Sequence, residues 1–462
     1  MSAVSSLVQR AYAPVDVASL AVFRLLFGTV MVVDFARYWA AGWVDSHFVT
    51  PAFLFTYIGF EWVQPLPRLG MYALFTLLIM ASVGLALGAL YRVSAWVLVF
   101  GHTYLFLLSA THYLNHAYLL SVVLLLMACL PAHRGLSPWA WRRGTTRSWT
   151  PAWAPWLLQA QLSIVYVFGG IAKINPDWLA GEPVRGWLHN RAGSAVPWMA
   201  DVLRSEAMTS FVTFGGLGFD LLIAPALWWR RTRPFAVLAA IGFHLSNDYL
   251  FNIGVFPWFM LAATTLFFEP DWPRRIPWLG PWIDRALGPV PEPSAVPPPP
   301  RHARAWLGVL GAWLLLQVAL PLRHHLYPGN VAWTEEGHYF SWRMKLRTKS
   351  GAARFVVHAP STGETWVVDP HDELTRRQAR KMASKPDLVA QYARHLKARW
   401  QQERGLHVEV RARVWVSLNR RPRQQLIDPN VDLGAVEPSL GHATWILPGP
   451  TTPVPRSRPR RR

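Results

Sequence analysis

Cysteine is nearly absent from this chain. Cys129 is the one thiol among 462 residues, which excludes any internal disulfide. Lying in an apolar run, it is expected to serve as a small packing residue within a helix. No Asn-x-Ser/Thr acceptor occurs, and no small-residue cleavage site follows the first apolar segment, so that segment is expected to be retained as a helix. Acidic residues are few, 26 against 46 lysines and arginines, and the formal charge of +20 raises the question of a nucleic-acid partner. No internal repeat is present.

Apolar residues are plentiful, 52% of the total, and they are blocked rather than spread as several globular cores would spread them. Runs of roughly 15 to 22 mostly apolar residues recur between residues 17 and 322, the length that crosses a hydrocarbon core at about 1.5 Å per residue. About nine segments can be marked, near 17–38, 71–91, 93–111, 117–131, 154–174, 209–229, 235–251, 253–268 and 305–322. The fourth and eighth are short enough to be tilted or re-entrant. A large soluble helical protein is the alternative, but Met71 to Leu90 is apolar on every side and lacks the polar stripe of a surface helix. The expected fold is an α-helical polytopic membrane bundle followed by a smaller α+β extracytoplasmic domain.

The basic residues sort by loop, which argues against nucleic acid. Arg134, Arg142, Arg143 and Arg147 crowd loop 132–152, and Arg230, Arg231 and Arg233 crowd loop 230–234, the bias expected of cytoplasmic loops. With those loops inside, the segment count puts the N-terminus in the cytoplasm and the C-terminal domain outside. The expected units are a membrane domain at 14–287, a proline-rich cytoplasmic linker at 288–304 that can form neither helix nor sheet, a last spanning helix at 305–322, a soluble domain at 323–445 and a disordered basic tail at 446–462. Alternation in Glu364 to Val368 and in Val408 to Ser417 predicts strands with one wet face. Leu388, Tyr392, Leu396 and Trp400 recur every four residues and predict an amphipathic helix, with Ser384 and Pro386 in its first turn. Arg-rich usage with abundant Ala and Pro suits a bacterial genome of high GC content, and with it an inner-membrane location.

Polar side chains within the bilayer cost energy and so carry the most information. Three groups stand out: His112, Asn115 and His116 between the third and fourth segments; Lys173 at the end of the fifth, beside Gly169 and Gly170; and His244, Ser246, Asn247 and Asp248 near the end of the seventh. The segment count brings all three to the extracytoplasmic ends of their helices, the side that also holds the soluble domain, as a single site would require. Against this, the Lys173 amine could reach out to the interface and the histidines could be interfacial residues with satisfied hydrogen bonds. The two glycines favour burial of the amine, because small residues let helices approach closely. Arg24, Asp34, Arg37 and Asp220 are the other intramembrane charges and are expected to be structural. Arg24 and Asp34 lie about three turns apart, too far for a direct pair, so each needs a partner elsewhere in the bundle. His112 and His116 have i, i+4 spacing, but no carboxylate or cysteine nearby completes a ligand set, and no metal is expected.

Several spaced motifs run in one order along the chain. They are Pro14-Val-Asp-Val-Ala-Ser-Leu-Ala-Val-Phe-Arg24-Leu-Leu-Phe-Gly28; Asn115-His116-Ala-Tyr118; Val165-Tyr-Val-Phe-Gly-Gly-Ile-Ala-Lys173 with Asp177-Trp178; Phe243-His244 with Asn247 and Phe251-Asn-Ile-Gly254; Ser341-Trp342; Trp415-Val-Ser-Leu-Asn419; and Asp428-Pro429-x-Val431-Asp432. In this order, over about residues 14–435, they resemble the vitamin K-dependent γ-carboxylase family, whose membrane part is the HTTM domain. The second is similar to the family's Asn-His-x-Tyr motif and the third to the segment bearing its catalytic lysine.

The resemblance implies removal of a γ-proton from a protein-bound glutamate and addition of CO2. That proton is too weakly acidic for a side-chain base, since such bases have pKa values of only about 4 to 12. In the family a neutral lysine deprotonates reduced vitamin K, O2 adds, and the quinone-derived alkoxide takes the γ-proton, with vitamin K epoxide as co-product. Carried over, Lys173 would be the base, a role that suits a desolvated amine. Asn115 and His116 would hold the quinone oxygens, with His244 and Asn247 beside them, and Trp342, Arg347 and Lys349 would meet the glutamyl substrate. Reduced vitamin K or menaquinol is the expected cofactor, with O2 and CO2 as co-substrates. Membrane lipid, quinone and an exported peptide or protein are the expected partners. Apolar helices would admit a prenylated quinone from the lipid and keep water from the carbanion. Three features depart from the family: its interdomain disulfide cannot form, its basic pair has changed identity at Arg347 and Lys349, and the long luminal region of animal members after the point of Asp432 has no counterpart, so propeptide binding is not implied. Other readings are a quinol epoxidase or another quinone-linked modification without carboxylation, a non-enzymatic quinone- or lipid-binding membrane protein, and a membrane-bound acyltransferase, which would use an intramembrane Asn and His but give Lys173 no role.

Overall fold

The computed structural model describes residues 3–292 and 298–454. Helices α1 (Ala18–Ala40), α2 (Arg68–Leu87), α3 (Tyr91–Leu107), α4 (Asn115–Cys129), α5 (Trp153–Lys173), α6 (Glu206–Trp228), α7 (Arg233–Phe251), α8 (Phe256–Thr264) and α9 (Ala303–Leu322) overlie the apolar segments. Among the described residues five of these, α1, α2, α5, α6 and α9, are long and apolar enough to cross a membrane, and α4 and α8 are shorter apolar helices. Backbone chemistry sets their ends. Pro67 precedes α2 and Gly88 closes it at φ 69, while Pro234 lies in the first turn of α7 and Asn252 closes that helix in the left-handed region.

Lipid offers little hydrophobic drive for helix association, so close packing and internal polar contacts must hold the bundle. Phe23, Phe27, Met31 and Phe35 of α1 are buried against Phe75 and Leu78 of α2 and Phe259 of α8. Gly28 is needed where α1 crosses the end of α2: a Cβ there would lie 2.6 Å from the Ala86 backbone. Gln317 of α9 accepts a hydrogen bond from Gln161 of α5 at 3.2 Å and donates to the Tyr118 hydroxyl of α4 at 3.2 Å, stitching the last helix to the rest.

Arg24 has its partners elsewhere in the bundle, and they are carbonyls rather than an acid. Its guanidinium donates to Ala86 (3.2 Å), Ala132 (2.7 Å), Gly135 (2.9 Å) and Leu136 (2.9 Å), tying the end of α2 and the loop after α4 to α1. Asp34 departs from expectation: its ion pair is with Arg37 on its own helix, at 3.9 Å. Cys129 also departs, since it lies exposed on the outer surface of α4 rather than packed within the bundle.

In the C-terminal part, strands β1 (Lys349–His358), β2 (Thr365–Val368), β3 (Glu409–Leu418) and β4 (Gln424–Gln425) form one antiparallel sheet in the order β2-β1-β3-β4. Val410, Ala412, Val414 and Val416 point from β3 into the core, where α11 (Pro386–Arg404) lays Leu388, Tyr392, Leu396 and Trp400 against them, while Arg411, Arg413 and Trp415 face outward. A short helix, α10 (Arg376–Met382), precedes α11 and opens with a Thr375–Gln378 capping box. Ser384 does not cap α11; its hydroxyl donates to the Lys381 carbonyl, and Pro386 begins the helix. The expected disordered tail is ordered in its first part, where Leu447 donates to the Leu426 carbonyl at 2.9 Å and the Thr452 carbonyl accepts from Arg421 at 2.7 Å. Residues 455–462 of that tail and 293–297 of the linker lie outside the described residues.

Arg24→Met would keep much of the side-chain volume but strand four carbonyls where water cannot serve them, at about 1 to 3 kcal/mol for each group left unpaired. The variant should melt well below the wild type in detergent and become cleavable by protease in loop 132–136. An unchanged melting temperature would show that the guanidinium is dispensable.

Candidate active site

Lys173 occupies the last turn of α5, and its amine turns inward. Its Nζ donates to Asp220 of α6, with both side chains less than a tenth exposed, and lies 5.2 Å from the centre of the Trp178 ring. Gly169 and Gly170 make room for this approach. A Cβ on Gly169 would stand 3.1 Å from the Asp220 carboxylate, and one on Gly170 would strike the Leu221 side chain at 2.7 Å. Asp220 is therefore the direct partner of Lys173, a placement that the sequence reading, which grouped it with structural charges, had not anticipated.

From this pair an aromatic floor runs to both histidine groups. Phe219, next to Asp220, packs on Tyr166 (5.8 Å) and stacks on Phe243 (3.9 Å). The Tyr166 hydroxyl is hydrogen-bonded to His244 Nε2 at 2.9 Å. Phe256 then lies 6.5 Å from the His244 ring and 5.3 Å from His116. Asn115 is committed on both sides of its amide, accepting from the Tyr113 hydroxyl at 2.8 Å and donating to the Arg343 carbonyl at 3.2 Å. Asn247 is half-buried further along α7, while Ser246 beside it is exposed. His112 goes elsewhere: its ring packs 4.5 Å from His47, away from Asn115 and His116 in the network of contacts. The first polar group of the sequence is thus split.

Residues 335–349 cover this floor. Trp342 is fully buried and stacks on Tyr118 at 4.8 Å; Met344 reaches Gly169; Lys345 lies 4.6 Å from the Phe251 ring; and Leu346 packs with Ala172 and Trp178. Glu335, Phe340, Trp342 and Lys345 all have φ between 49° and 65°, a region that costs non-glycine residues energy and persists only where surroundings over-determine it. Those surroundings include the Tyr113 hydroxyl, which accepts from the Phe340 amide, and Arg323, which donates to the Tyr339 carbonyl.

Above the segment lies a buried charge cluster. Arg347 and Lys349 both donate to Glu335. Burial alone would raise the Glu335 carboxyl, but Arg347 and Lys349 pull it well below the usual carboxylate range, so it stays ionised. Burial pushes the Lys349 ammonium down to about 8 and, with Arg347, holds His338 neutral. Lys385 donates to the Tyr339 hydroxyl, which donates in turn to Asp387. Arg343 also lies within electrostatic reach, so in this cluster cations outnumber the acids Glu335 and Asp387.

One residue beyond Lys173's turn, the chain fastens the two parts together. Asn175 caps the short helix Pro176–Leu179, and Asp177 takes a fork of two hydrogen bonds from Arg421 (2.7 and 2.6 Å) and a third from Asn419 at 2.7 Å. Asn419 in turn accepts from the Thr348 amide at 2.8 Å, so the clamp reaches the segment that bears Arg347 and Lys349.

The family model of the HTTM domain matches residues 12–272, and that of the vitamin K-dependent gamma-carboxylase lumenal domain matches residues 302–452. The chain belongs to the vitamin K-dependent γ-carboxylase family. It is a membrane protein whose C-terminal domain corresponds to the lumenal, extracytoplasmic domain of that family. No solved structure matches it. In this family member Asp220, Tyr166, Glu335 and Arg421 belong to the site region without having been singled out for it. The signal was weak: Asp220 was visible as an intramembrane acid, but its pairing with Lys173, 47 positions earlier, is a fact of helix packing.

Asp177→Asn keeps a polar side chain of the same shape but loses the charge that receives the Arg421 fork. Hydrogen exchange should then rise in residues 342–349 and 419–423 together, with α1 to α4 unchanged. Equal protection in the variant would mean that the clamp does not hold the segment.

Proposed function

We propose that this protein is a quinone-dependent γ-carboxylase of glutamyl residues in an exported peptide or protein, set in a bacterial inner membrane with all its apolar helices embedded. The observation that supports the reading is the adjacency of two sites, a buried amine beside an aromatic floor and a buried cation cluster, linked through Leu346, which packs with Ala172 and Trp178 and precedes Arg347 in the chain. Such a pairing suits a membrane-soluble cofactor below and an anionic peptide side chain above.

A reduced naphthoquinone, with O2, would supply a base stronger than any side chain and would leave as its epoxide. The residues present fit such a group: His116 lies against Phe256 and, among the described residues, has no hydrogen-bond partner, so its ring is free to bond a ring oxygen within apolar walls. His244, oriented by Tyr166, faces the same floor. Lys173 would accept the hydroquinone proton, and Asp220 would hold the resulting ammonium in place without water. Trp342 and the segment around it would close the floor against solvent and keep water from the carbanion. Above, Arg347, Lys349, Arg343 and Lys385 would draw in the glutamyl carboxylate, exchanging part of the interaction with Glu335 for one with substrate.

That Glu335 already engages both Arg347 and Lys349 favours a second reading, quinol epoxidation without carboxylation. Membranes given reduced vitamin K, radiolabelled CO2 and a glutamyl peptide decide between them. Label in the peptide supports carboxylation, epoxide alone supports the second reading, and neither product leaves a quinone- or lipid-binding protein.

Lys173→Ala should lose epoxide formation and carboxylation together, by about 10² to 10⁴ in rate, and a small exogenous amine should restore part of both because only proton acceptance is missing. Full epoxidation in the alanine variant would remove Lys173 from the chemistry. The charge cluster has its own test. Because burial depresses the Lys349 ammonium to about 8, it is charged below that pH and loses its charge as pH rises through it. KM for the glutamyl peptide should therefore rise above pH 8, and Lys349→Arg, which stays charged, should flatten that rise. A KM independent of pH in the wild type would place peptide binding elsewhere.

A further inference from the structure

A second cluster of cations lies at the junction of the two parts, apart from the site above. His47 and His112 pack with their rings tilted and their centres 4.5 Å apart, and Arg377 of α10 approaches His47 Nε2 at 3.3 Å. Lys381 also lies within electrostatic reach of the His112 ring, and Arg380 within reach of Arg377 and Lys381. The Nδ1 of His112 is buried and has no hydrogen-bond partner among the described residues. Acids on the adjoining elements are committed elsewhere. Asp45 accepts from Arg68 and Tyr72, Asp34 pairs with Arg37, and Asp369 pairs with Arg354 and His371. Gln378, on the same helix as the cations, donates to the Phe53 carbonyl at 2.6 Å and pins α10 to the membrane part. Like charges gathered beside an unpaired buried ring nitrogen repel one another, and an anion among them would relieve that repulsion.

The depth of the cluster says what kind of anion. His47 packs against Tyr38 (6.0 Å) and Trp43 (5.8 Å) at the end of α1, and Trp39 packs on Tyr72 at 4.9 Å. Aromatic side chains gather at the headgroup level of a bilayer, so the cluster sits where lipid phosphates lie. Arg377 and Arg380 are exposed and mark its open side.

We propose that His47, His112, Arg377, Arg380 and Lys381 bind the phosphate of a membrane lipid headgroup in the extracytoplasmic leaflet, so that the lipid bridges the membrane domain and α10 of the soluble domain. The guanidiniums supply charge-assisted bonds to the phosphate oxygens, and His112 supplies a ring nitrogen from below. This inference does not depend on the carboxylase reading.

The test uses the full chain in detergent, stripped of lipid and titrated with short-chain phosphatidylglycerol or with inorganic phosphate, followed by thermal stability and native mass spectrometry. The lipid should raise the melting temperature and stay bound, and the double variant Arg377→Gln, Lys381→Gln should weaken binding by at least about tenfold. Without lipid the double variant should be as stable as the wild type or more so, since like charges have been removed. Equal lipid binding by both proteins overturns the site. So does a large loss of stability in the lipid-free variant, which would mean that the cations serve a partner inside the protein. Inorganic phosphate binding as tightly as the lipid overturns the assignment to a headgroup.

Discussion

A hydrogen bond between a buried amine and a buried carboxyl group, Lys173 to Asp220, organises this molecule. Neither the Lys173 amine nor the Asp220 carboxylate could stay in hydrocarbon alone, and each side chain is less than a tenth exposed. Their meeting demands that α5 and α6 run close together, which Gly169 and Gly170 allow by having no side chains to interpose. It also fixes the direction in which α5 ends. The chain leaves the helix at Ile174 with the amine held below, and within four residues Asn175, Asp177 and Trp178 have capped a short helix, clamped the soluble domain and covered the amine.

The soluble domain is consequently seated on the membrane part by polar contacts rather than by a broad apolar face alone. Asp177 receives Arg421 and Asn419, Asn419 holds the backbone at Thr348, and Asn115 of α4 holds the backbone at Arg343. The segment adopts left-handed backbone at Trp342, just before the first of those anchors, and at Lys345, between them, a region where side chains are disfavoured. Strain of about 1 to 3 kcal/mol for each such residue is sustained because its neighbours leave no alternative. A segment so constrained keeps Trp342 and Leu346 buried against the membrane part.

The charges in the two halves obey different economies of solvation. In the membrane part Arg24 is satisfied by four carbonyls and Lys173 by one carboxylate, with no excess. In the soluble part near the interface, Arg347 and Lys349 share a single Glu335, and further cations stand close by. Burying more cations than acids costs stability, and in this cluster Asp387, beside Lys385, is the only further acid among the described residues to offset them.

Much of the architecture was legible along the chain, because the cost of exposing backbone to hydrocarbon forces apolar blocks of one length and the period of side chains marks one wet face. Each expected apolar block overlies a helix, but among the described residues only five of the nine are long and apolar enough to cross a membrane; α11 and β3 bury the residues that their periods predicted. The strand at Lys349–His358 was not legible, since Ser350, Gly351, Ala352 and Ala353 show no alternation and gain their place only by pairing with β3. The candidate site was legible as three polar groups and a set of motifs, but not as a set of contacts. Periodicity and composition are local properties, and by themselves they determined which segments are apolar helices and which residues are expensive to bury. Only the tertiary structure decided that Asp220 meets Lys173, that His112 turns away from His116, and that Glu335 sits between Arg347 and Lys349. Those pairings join residues far apart in the chain, and their geometry comes from how helices pack and where the strained segment lies, which no local pattern records.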